Sequence, residues 1–120
     1  MIKLILKGNP RSTGTIYKTI CRGNFPSTYM TPEGKSLKED YCWQIISQYK
    51  EKKLITGDIE VNIKLFFGNK RKNDIDNFNK ILLDSITGLV WLDDSQIQRM
   101  VIEKNYDKDN PRIEIEIYEK

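Results

Sequence analysis

The sequence predicts an α+β fold, a single compact domain with a mainly antiparallel mixed sheet and two main helices packed on one face. Two segments, 59–67 and 112–118, alternate apolar and polar residues with the period of half-buried strands. A third segment, 32–53, repeats apolar residues every four positions, which is the spacing of a helix. Because 120 residues suffice for one hydrophobic core, residues 1–120 are expected to form one domain.

The first element is a predicted strand at residues 2–6, too short and too alternating for a secretory signal. The segment 7–29 that follows is rich in Gly, Pro, Ser, Thr and Asn, which predicts a long loop. Loops of this length inside a compact domain are usually functional or partly disordered. Its basic residues make this loop a candidate arm that closes over an anionic partner.

The first long helix is predicted at residues 32–53. Thr31 can cap its start, and Pro32 suits the first helical turn. The strand at 59–67 comes next, and its alternating apolar residues are expected on the core face of the sheet.

A second helix is predicted before Gly88, which can end it. Its apolar residues follow helical spacing: Phe78, Ile81, Leu82 and Ile86. Two closing strands are predicted at 97–106 and 112–118, joined by a turn at 107–111. The isoleucines of the last strand are expected on one face of the sheet and its charged residues on the other.

The composition excludes several classes of chemistry. The chain has no histidine, which rules out Ser-His and Cys-His nucleophiles and every His-ligated zinc site. Cys21 and Cys42 lack metal-type spacing, so reduced thiols in a cytoplasmic protein are expected. No run of about 18 apolar residues occurs, so no membrane span is expected.

The charge is distributed unevenly along the chain. The first 32 residues carry five basic residues and no acidic one, whereas the remaining 88 carry 15 basic and 17 acidic residues, a net charge of −2. The basic triplet Lys70-Arg71-Lys72 stands beside a group of aspartates. This polarity points to an anionic polymer as partner, although positive loops can also serve solubility alone.

Two pairs of aspartates stand on either side of the second predicted helix. Asp74 and Asp76 are two positions apart, so in extended backbone both carboxylates point to one side and could share a metal ion. Asp93 and Asp94 stand before the next strand, and a return of the chain could bring one of them beside the first pair. Carboxylates without histidine match the oxygen ligands that Mg²⁺ takes. Asp76 or Asn77 could instead cap the helix, and Asp93 or Asp94 could cap a turn before Ile97.

Lys80 also has two interpretations. Asp76, Lys80 and Asp84 are spaced by four, so a helix would place all three on one face. Lys80 could then neutralise charge that develops on a scissile phosphate. The alternative is an ordinary i,i+4 salt bridge, worth tenths of a kcal/mol. Asp84 is expected to be a solvated or structural residue rather than a ligand.

The motif residues are similar to a known family. The run 71–80 reads RKNDIDNFNK, Leu83 and Asp84 follow, and 88–97 reads GLVWLDDSQI. Together these segments closely resemble the RusA family of Holliday junction resolvases. A weaker similarity covers 29–41, and the first strand and basic loop agree with the family in placement.

The resemblance implies a homodimeric endonuclease that binds four-way junction DNA and nicks two opposing strands with Mg²⁺, for which Mn²⁺ may substitute. It makes Asp74, Asp76 and Asp94 the essential acidic residues and metal ligands, with Asp93 as an additional candidate ligand. It makes Lys80 the catalytic lysine. The family often occurs in phages and prophages, so the same origin is expected here.

The basic residues of the N-terminal segment and the triplet are expected to bind the DNA backbone. They are Lys7, Arg11, Lys18, Arg22, Lys70, Arg71 and Lys72. Two other functions remain open: a broader nuclease for flaps or branched DNA, and a non-catalytic DNA-binding protein. The sequence also leaves open whether Val90, Trp91 and Leu92 belong to the core or to a dimer interface.

Overall fold

The computed structural model describes residues 1–23, 25–51 and 53–120, and the side chain of Arg22 lies outside this described part. Six strands and three α-helices follow in chain order. The strands are β1 Ile2–Lys7, β2 Tyr17–Arg22, β3 Phe25–Met30, β4 Ile59–Phe67, β5 Ile97–Tyr106 and β6 Arg112–Glu119. The helices are α1 Thr13–Ile16, α2 Pro32–Gln48 and α3 Asn79–Ile86.

The α+β class and the mixed, mainly antiparallel sheet are confirmed. Four strands form the main sheet in the order β1-β6-β4-β5. The β1–β6 and β4–β6 pairs are antiparallel, and only β4 and β5 are parallel. Strands β2 and β3 form a separate antiparallel hairpin. The four strands of the main sheet lie within a residue or so of the predicted bounds.

One face of the sheet forms the core, as the alternation predicts. In β4 the buried positions alternate with half-buried ones, and β6 has the same pattern. Helices α2 and α3 contact each other and contribute apolar side chains to the same core. These residues are Tyr41, Ile45, Ile81, Leu82 and Ile86. Burial of apolar surface on this one face stabilises the arrangement of helices on sheet.

Helix α2 begins where the sequence predicts and ends five residues earlier. The Thr31 hydroxyl accepts a hydrogen bond from the Gly34 backbone N–H at 3.1 Å, which caps the first turn. At Tyr49 the backbone is extended, with φ −102° and ψ 93°. The Tyr49 hydroxyl donates to the Lys53 carbonyl, so its side chain stabilises the turn after the helix instead of another helical turn.

The prediction of a long loop at 7–29 is wrong. This segment contains the short helix α1 and the β2–β3 hairpin, with Gly23 near the turn at φ +64°. Most described side chains of the hairpin are exposed, so selection for a core did not impose an apolar alternation there. The hairpin is stabilised by backbone pairing, with no buried apolar face that could reveal it in the sequence.

Helix α2 covers the outer edge of β1 with two glutamines. The Gln48 side chain accepts from the Ile5 N–H at 2.8 Å and donates to the Ile5 carbonyl at 2.7 Å. The Gln44 side chain accepts from the Lys7 N–H at 2.8 Å. These amides take the hydrogen bonds that a neighbouring strand would otherwise make.

Candidate active site

Asp74 and Asp76 lie just beyond the C-terminal end of β4. A single 3-10 turn, Ile75–Asn77, follows Asp74 and leads into α3. The Phe78 ring packs edge-on against Phe67, with ring centroids 5.1 Å apart, and this contact holds the turn at the end of the strand. Both aspartates are exposed, and within the described ranges neither side chain has a hydrogen bond or salt bridge. Their carboxylates are therefore available to a ligand.

The basic triplet precedes these aspartates in the same loop. Lys70 lies over the Tyr106 ring, with its Nζ 5.2 Å from the centroid. The Lys104 ammonium donates to the Asn73 carbonyl at 2.8 Å, which ties the loop to the end of β5. Lys104 thus adds a positive charge beside Asp74. Sequence reasoning missed it because Lys104 is distant in the chain and its strand carries no motif.

The N-terminal segment reaches the same end of the sheet. The Asn9 side chain accepts from the Gly68 N–H at 2.8 Å, and the Thr13 hydroxyl donates to the Asn77 carbonyl at 2.6 Å. These contacts place Asn9 and Thr13, which stand on either side of Arg11, next to the loop that carries the triplet and Asp74. Asn9 contacts Gly68 before the triplet, and Thr13 contacts Asn77 after Asp74. Basic segments therefore surround the two aspartates, and their binding to DNA stays a prediction.

The remaining predicted DNA contacts differ in their surroundings. Lys7 is exposed at the end of β1, and Lys18 is exposed on the hairpin. Arg11 forms an exposed ion pair with Glu33, at 2.9 Å, so it is already paired with a carboxylate. The Arg22 side chain lies outside the described residues.

The Lys80 ammonium lies over an aromatic ring, and the predicted helical face that would join it to Asp76 is not formed. Helix α3 starts at Asn79, so Asp76 lies outside the α-helix and the predicted common face does not continue to it. The Lys80 Nζ lies 4.4 Å from the centroid of the Tyr17 ring, and the Tyr17 hydroxyl donates to Asp84 Oδ2. Burial, together with Asp84, raises the pKa of Tyr17, which keeps the phenol protonated as a donor.

Tyr17 was missed in the sequence because it stands in the segment that was predicted as a loop. Its contacts give Asp84 the structural role that the sequence predicts for it. The only signal in the sequence is an aromatic residue interleaved among basic ones, which many loops share. Tyr17 therefore joins Lys80 and Asp84 in one hydrogen-bonded and cation–π arrangement on α3.

A second 3-10 turn, Asp94–Gln96, leads into β5. Asp94 is its first residue, and Asp93 precedes it. The Asp93 carboxylate caps this turn and accepts from the Ser95 hydroxyl. The Ser95 hydrogen bond lowers the pKa of Asp93 below its usual range. Asp94 is exposed and forms no salt bridge with any described residue. The alternative reading of Asp93 as a turn cap thus agrees with the structure, and Asp94 presents the more available carboxylate.

The turn is fixed to the start of β4 by Gln96. Its amide donates to the carbonyls of Ile55 and Gly57 at 2.9 and 2.8 Å, while its oxygen accepts from the backbone of Asp93. Val90 and Trp91 are fully buried beneath this turn, so they belong to the core. Leu92 is exposed over 54% of its surface.

The two aspartate pairs lie at opposite ends of the sheet in one chain. Because β4 and β5 are parallel, Ile97 is beside Ile59 at one end and Tyr106 is beside Phe67 at the other. Helix α3 crosses back between them. At roughly 3.3 Å per residue, the length of β4 separates the ends by about 25 Å.

No divalent metal site is formed within the described part of one chain. No three acidic or cysteine side chains there are grouped closely enough to hold an ion. Asp74 and Asp76 have the oxygen chemistry that Mg²⁺ prefers, and Mg²⁺ is commonly held by one or two carboxylates together with waters and substrate phosphate oxygens. The described residues of a single chain therefore offer two carboxylate ligands and leave the rest of the metal's shell to other groups.

The site belongs to a recognisable class of protein. Exposed carboxylates within a basic surface are an arrangement found in proteins that act on nucleic-acid phosphates. Residues 7–118 match the family model described as endodeoxyribonuclease RusA. The chain belongs to the RusA family, and membership implies nuclease activity on DNA junctions.

A second comparison found a relative in Bacillus subtilis strain 168. This protein, described as uncharacterized protein YqaN, is 26% identical over 140 aligned positions. The alignment covers 98% of this chain and 96% of the relative. The two chains are therefore similar along nearly their whole lengths. In the described part of this chain, no helix is long and apolar enough to cross a membrane.

Proposed function

We propose that this protein is a Holliday junction resolvase, a homodimeric endonuclease that nicks two opposing strands of four-way junction DNA with Mg²⁺ or Mn²⁺. The observation that carries the proposal is the pair Asp74 and Asp76, which are exposed among basic segments and form no salt bridge with any described residue, in a chain of the RusA family. A dimer supports paired cuts because two equal subunits meet the two equivalent phosphates of a symmetric junction. The proposed location is the cytoplasm, where both free cysteines would stay reduced.

The chain's own residues have distinct proposed roles. Asp74, Asp76 and Asp94 are the essential carboxylates, and Asp93 shapes the turn that presents Asp94. Lys80 places a positive charge next to the phosphate that is cut, where it stabilises negative charge that develops in the reaction. The ring of Tyr17 holds the Lys80 ammonium in place.

The proposed DNA contacts are electrostatic and independent of sequence. Residues of the triplet and the N-terminal segment neutralise backbone phosphates, which makes binding dependent on salt. They are Lys7, Arg11, Lys18, Lys70, Arg71 and Lys72, with Arg22 as a further candidate from sequence alone. To contact a DNA phosphate, Arg11 must break its ion pair with Glu33 or bind the carboxylate and the phosphate together.

The test uses a synthetic mobile four-way junction with and without Mg²⁺, comparing the wild type with Asp76→Asn. We expect paired symmetric nicks from the wild type and loss of cleavage in the variant, because the amide cannot supply the second charge. Junction binding should persist, since the exposed Asp76 side chain forms no hydrogen bond or salt bridge with the described residues. Asp58→Asn, at the opposite end of β4, is the matched control and should cleave normally.

Two outcomes would favour the alternatives. Equal cleavage of four-way, three-way and flap substrates at matched salt would indicate a broader branched-DNA nuclease. Tight junction binding by the wild type without cleavage in Mg²⁺ or Mn²⁺ would indicate a non-catalytic DNA-binding protein.

A further inference from the structure

The two faces of the β2–β3 hairpin differ in their surroundings. Residues that pair across an antiparallel hairpin lie on the same face. Tyr17 pairs with Met30, and both are half-buried against the core, so their face is the inner one. The opposite face, the outer face, is turned to solvent. Its described members are Lys18, Ile20, Phe25, Ser27 and Tyr29.

The outer face exposes apolar side chains. Phe25 is exposed over 78% of its surface, Tyr29 over 46% and Ile20 over 36%. A hairpin gains stability from apolar residues that stand directly opposite each other. Here Ile20 is opposite Ser27, and Tyr29 is opposite Lys18, so neither belongs to such a pair. Stabilisation of the hairpin therefore does not account for the exposed rings.

Each aromatic residue of the outer face has a basic residue as its cross-strand partner. Lys18 pairs with Tyr29, and the backbone register places Arg22 opposite Phe25. The hairpin sequence, residues 17–30, contains no acidic residue. A ring beside a cation matches a nucleotide, because the base stacks on the ring while the cation neutralises the adjoining phosphate. The outer face is therefore complementary to a nucleic-acid strand with accessible bases.

The spacing of the two rings suits such a strand. Tyr29 and Phe25 are four residues apart on β3, which is about 13 Å at roughly 3.3 Å per residue. Stacked DNA rises about 3.4 Å per nucleotide, so this distance spans about four nucleotides. In an intact duplex each base is covered by its neighbours. A protein ring can stack on a base only where this stacking is interrupted, as it is at a branch point.

The hairpin is connected directly to the candidate active site. On its inner face the Tyr17 ring centroid lies 4.4 Å from the Lys80 Nζ. Helix α1, which leads into β2, is fixed by the hydrogen bond from the Thr13 hydroxyl to the Asn77 carbonyl. The outer face begins at Lys18, the residue after Tyr17. DNA that is bound at Lys80 therefore has the outer face beside it.

We propose that the outer face is a stacking surface for unpaired bases at the branch point of junction DNA, with Phe25 and Tyr29 stacking on the bases and Lys18 neutralising an adjoining phosphate. The surface makes the protein select branched over duplex DNA, because base faces are uncovered at the branch point. Stacking tolerates every base, so this selectivity is for structure and not for sequence. The inference rests on the proposed function for the identity of the substrate.

The first experiment measures binding without cleavage. The double variant Phe25→Ala/Tyr29→Ala is compared with the wild type on a four-way junction and on a duplex of equal length, in buffer without divalent metal. We expect junction affinity to fall at least about fivefold, the lower end of what one stacked base contributes, while duplex affinity changes less than about twofold. Both side chains are exposed, so the variant should unfold at the wild-type temperature.

Tyr118→Ala is the matched control, since it removes a tyrosine of β6 that is exposed over 36% of its surface and lies outside the hairpin. It should bind both DNAs as the wild type does. Unchanged junction binding by the double variant, or an equal loss on junction and duplex, would overturn the stacking surface.

The second experiment detects the contact itself. 5-Iodouracil, which crosslinks to aromatic side chains on irradiation, is placed at the branch point or in the middle of an arm. We expect a crosslink to Phe25 or Tyr29 from the branch point alone, identified by mass spectrometry of the peptide. No crosslink to either residue, or the same yield from the arm, would contradict the inference. A wild type that gives this crosslink but does not cut in Mg²⁺ would instead count against the proposed function, so the two failures are distinguishable.

Discussion

Tyr17 decides where the Lys80 ammonium lies. A cation over an exposed aromatic ring gains about 0.5–1 kcal/mol, which corresponds to a factor of about 2 to 5 in an equilibrium. We therefore expect Tyr17→Leu to lower the rate of junction cleavage several-fold while junction affinity changes little. The measurement is single-turnover cleavage at saturating enzyme.

The conservative variant separates positioning from folding. Tyr17→Phe keeps the ring over Lys80 and loses only the hydroxyl that donates to Asp84. It should restore most of the rate that Tyr17→Leu loses. If Tyr17→Phe is as slow as Tyr17→Leu, the ring does not position Lys80, and the bond to Asp84 matters instead.

At the scale of an element, the loop before α3 acts through charge. Replacing Lys70, Arg71 and Lys72 together by alanine should weaken junction binding and reduce the slope of log K against log salt by about 2 to 3 for each subunit whose loop contacts the DNA, since each phosphate contact contributes nearly one unit. Binding titrations at several salt concentrations check this. Lys64→Ala, in the middle of β4, is the control and should leave the slope unchanged. An unchanged slope in the triple variant would show that this loop does not contact the DNA backbone.

The sequence predicts those elements that contribute a regular apolar face to the core. The four strands of the main sheet and α3 fall close to their predicted bounds for this reason. The β2–β3 hairpin does not, because most of its described side chains are exposed and carry no periodic signal. The end of α2 is missed because the four-residue spacing continues to Tyr49, whose side chain supports a turn.

The candidate site, like the fold, could be predicted from the sequence only in part. Spacing predicts Asp74, Asp76 and Lys80 as site residues, because they are close together in the chain. Spacing cannot reveal that β4 and β5 pair in parallel, and this pairing determines that Asp94 lies far from Asp74 in one chain. The sequence did not predict the roles of Tyr17 and Lys104 either, since each contacts a site residue or segment that is far from it in the chain.

At the scale of the whole molecule, two tyrosines couple stability to alkaline pH. Burial raises the pKa of Tyr41 to about 12 and, with Asp84, raises the pKa of Tyr17 further. A tyrosine in the unfolded chain ionises near pH 10, so these groups favour the folded state below that pH and lose their contribution as pH rises through the folded pKa values. We expect the free energy of unfolding in urea to fall as pH rises above about 10.

The Tyr17→Phe variant provides the comparison. It removes one tyrosine whose pKa is raised, so its stability should fall less steeply between about pH 10 and 11 than that of the wild type. Parallel curves for the two proteins would show that Tyr17 ionises as freely in the folded chain as in the unfolded one.

The two glutamines along β1 have a consequence for solubility in the cell. An uncovered outer strand can recruit a strand from another molecule, and repeated recruitment builds fibrils. The side-chain amides of Gln44 and Gln48 take up the N–H and carbonyl of Ile5 and the N–H of Lys7, so a foreign strand would have to displace them to pair along this part of β1. Addition of chains is thereby disfavoured at this edge, whereas β5 forms the other edge of the sheet.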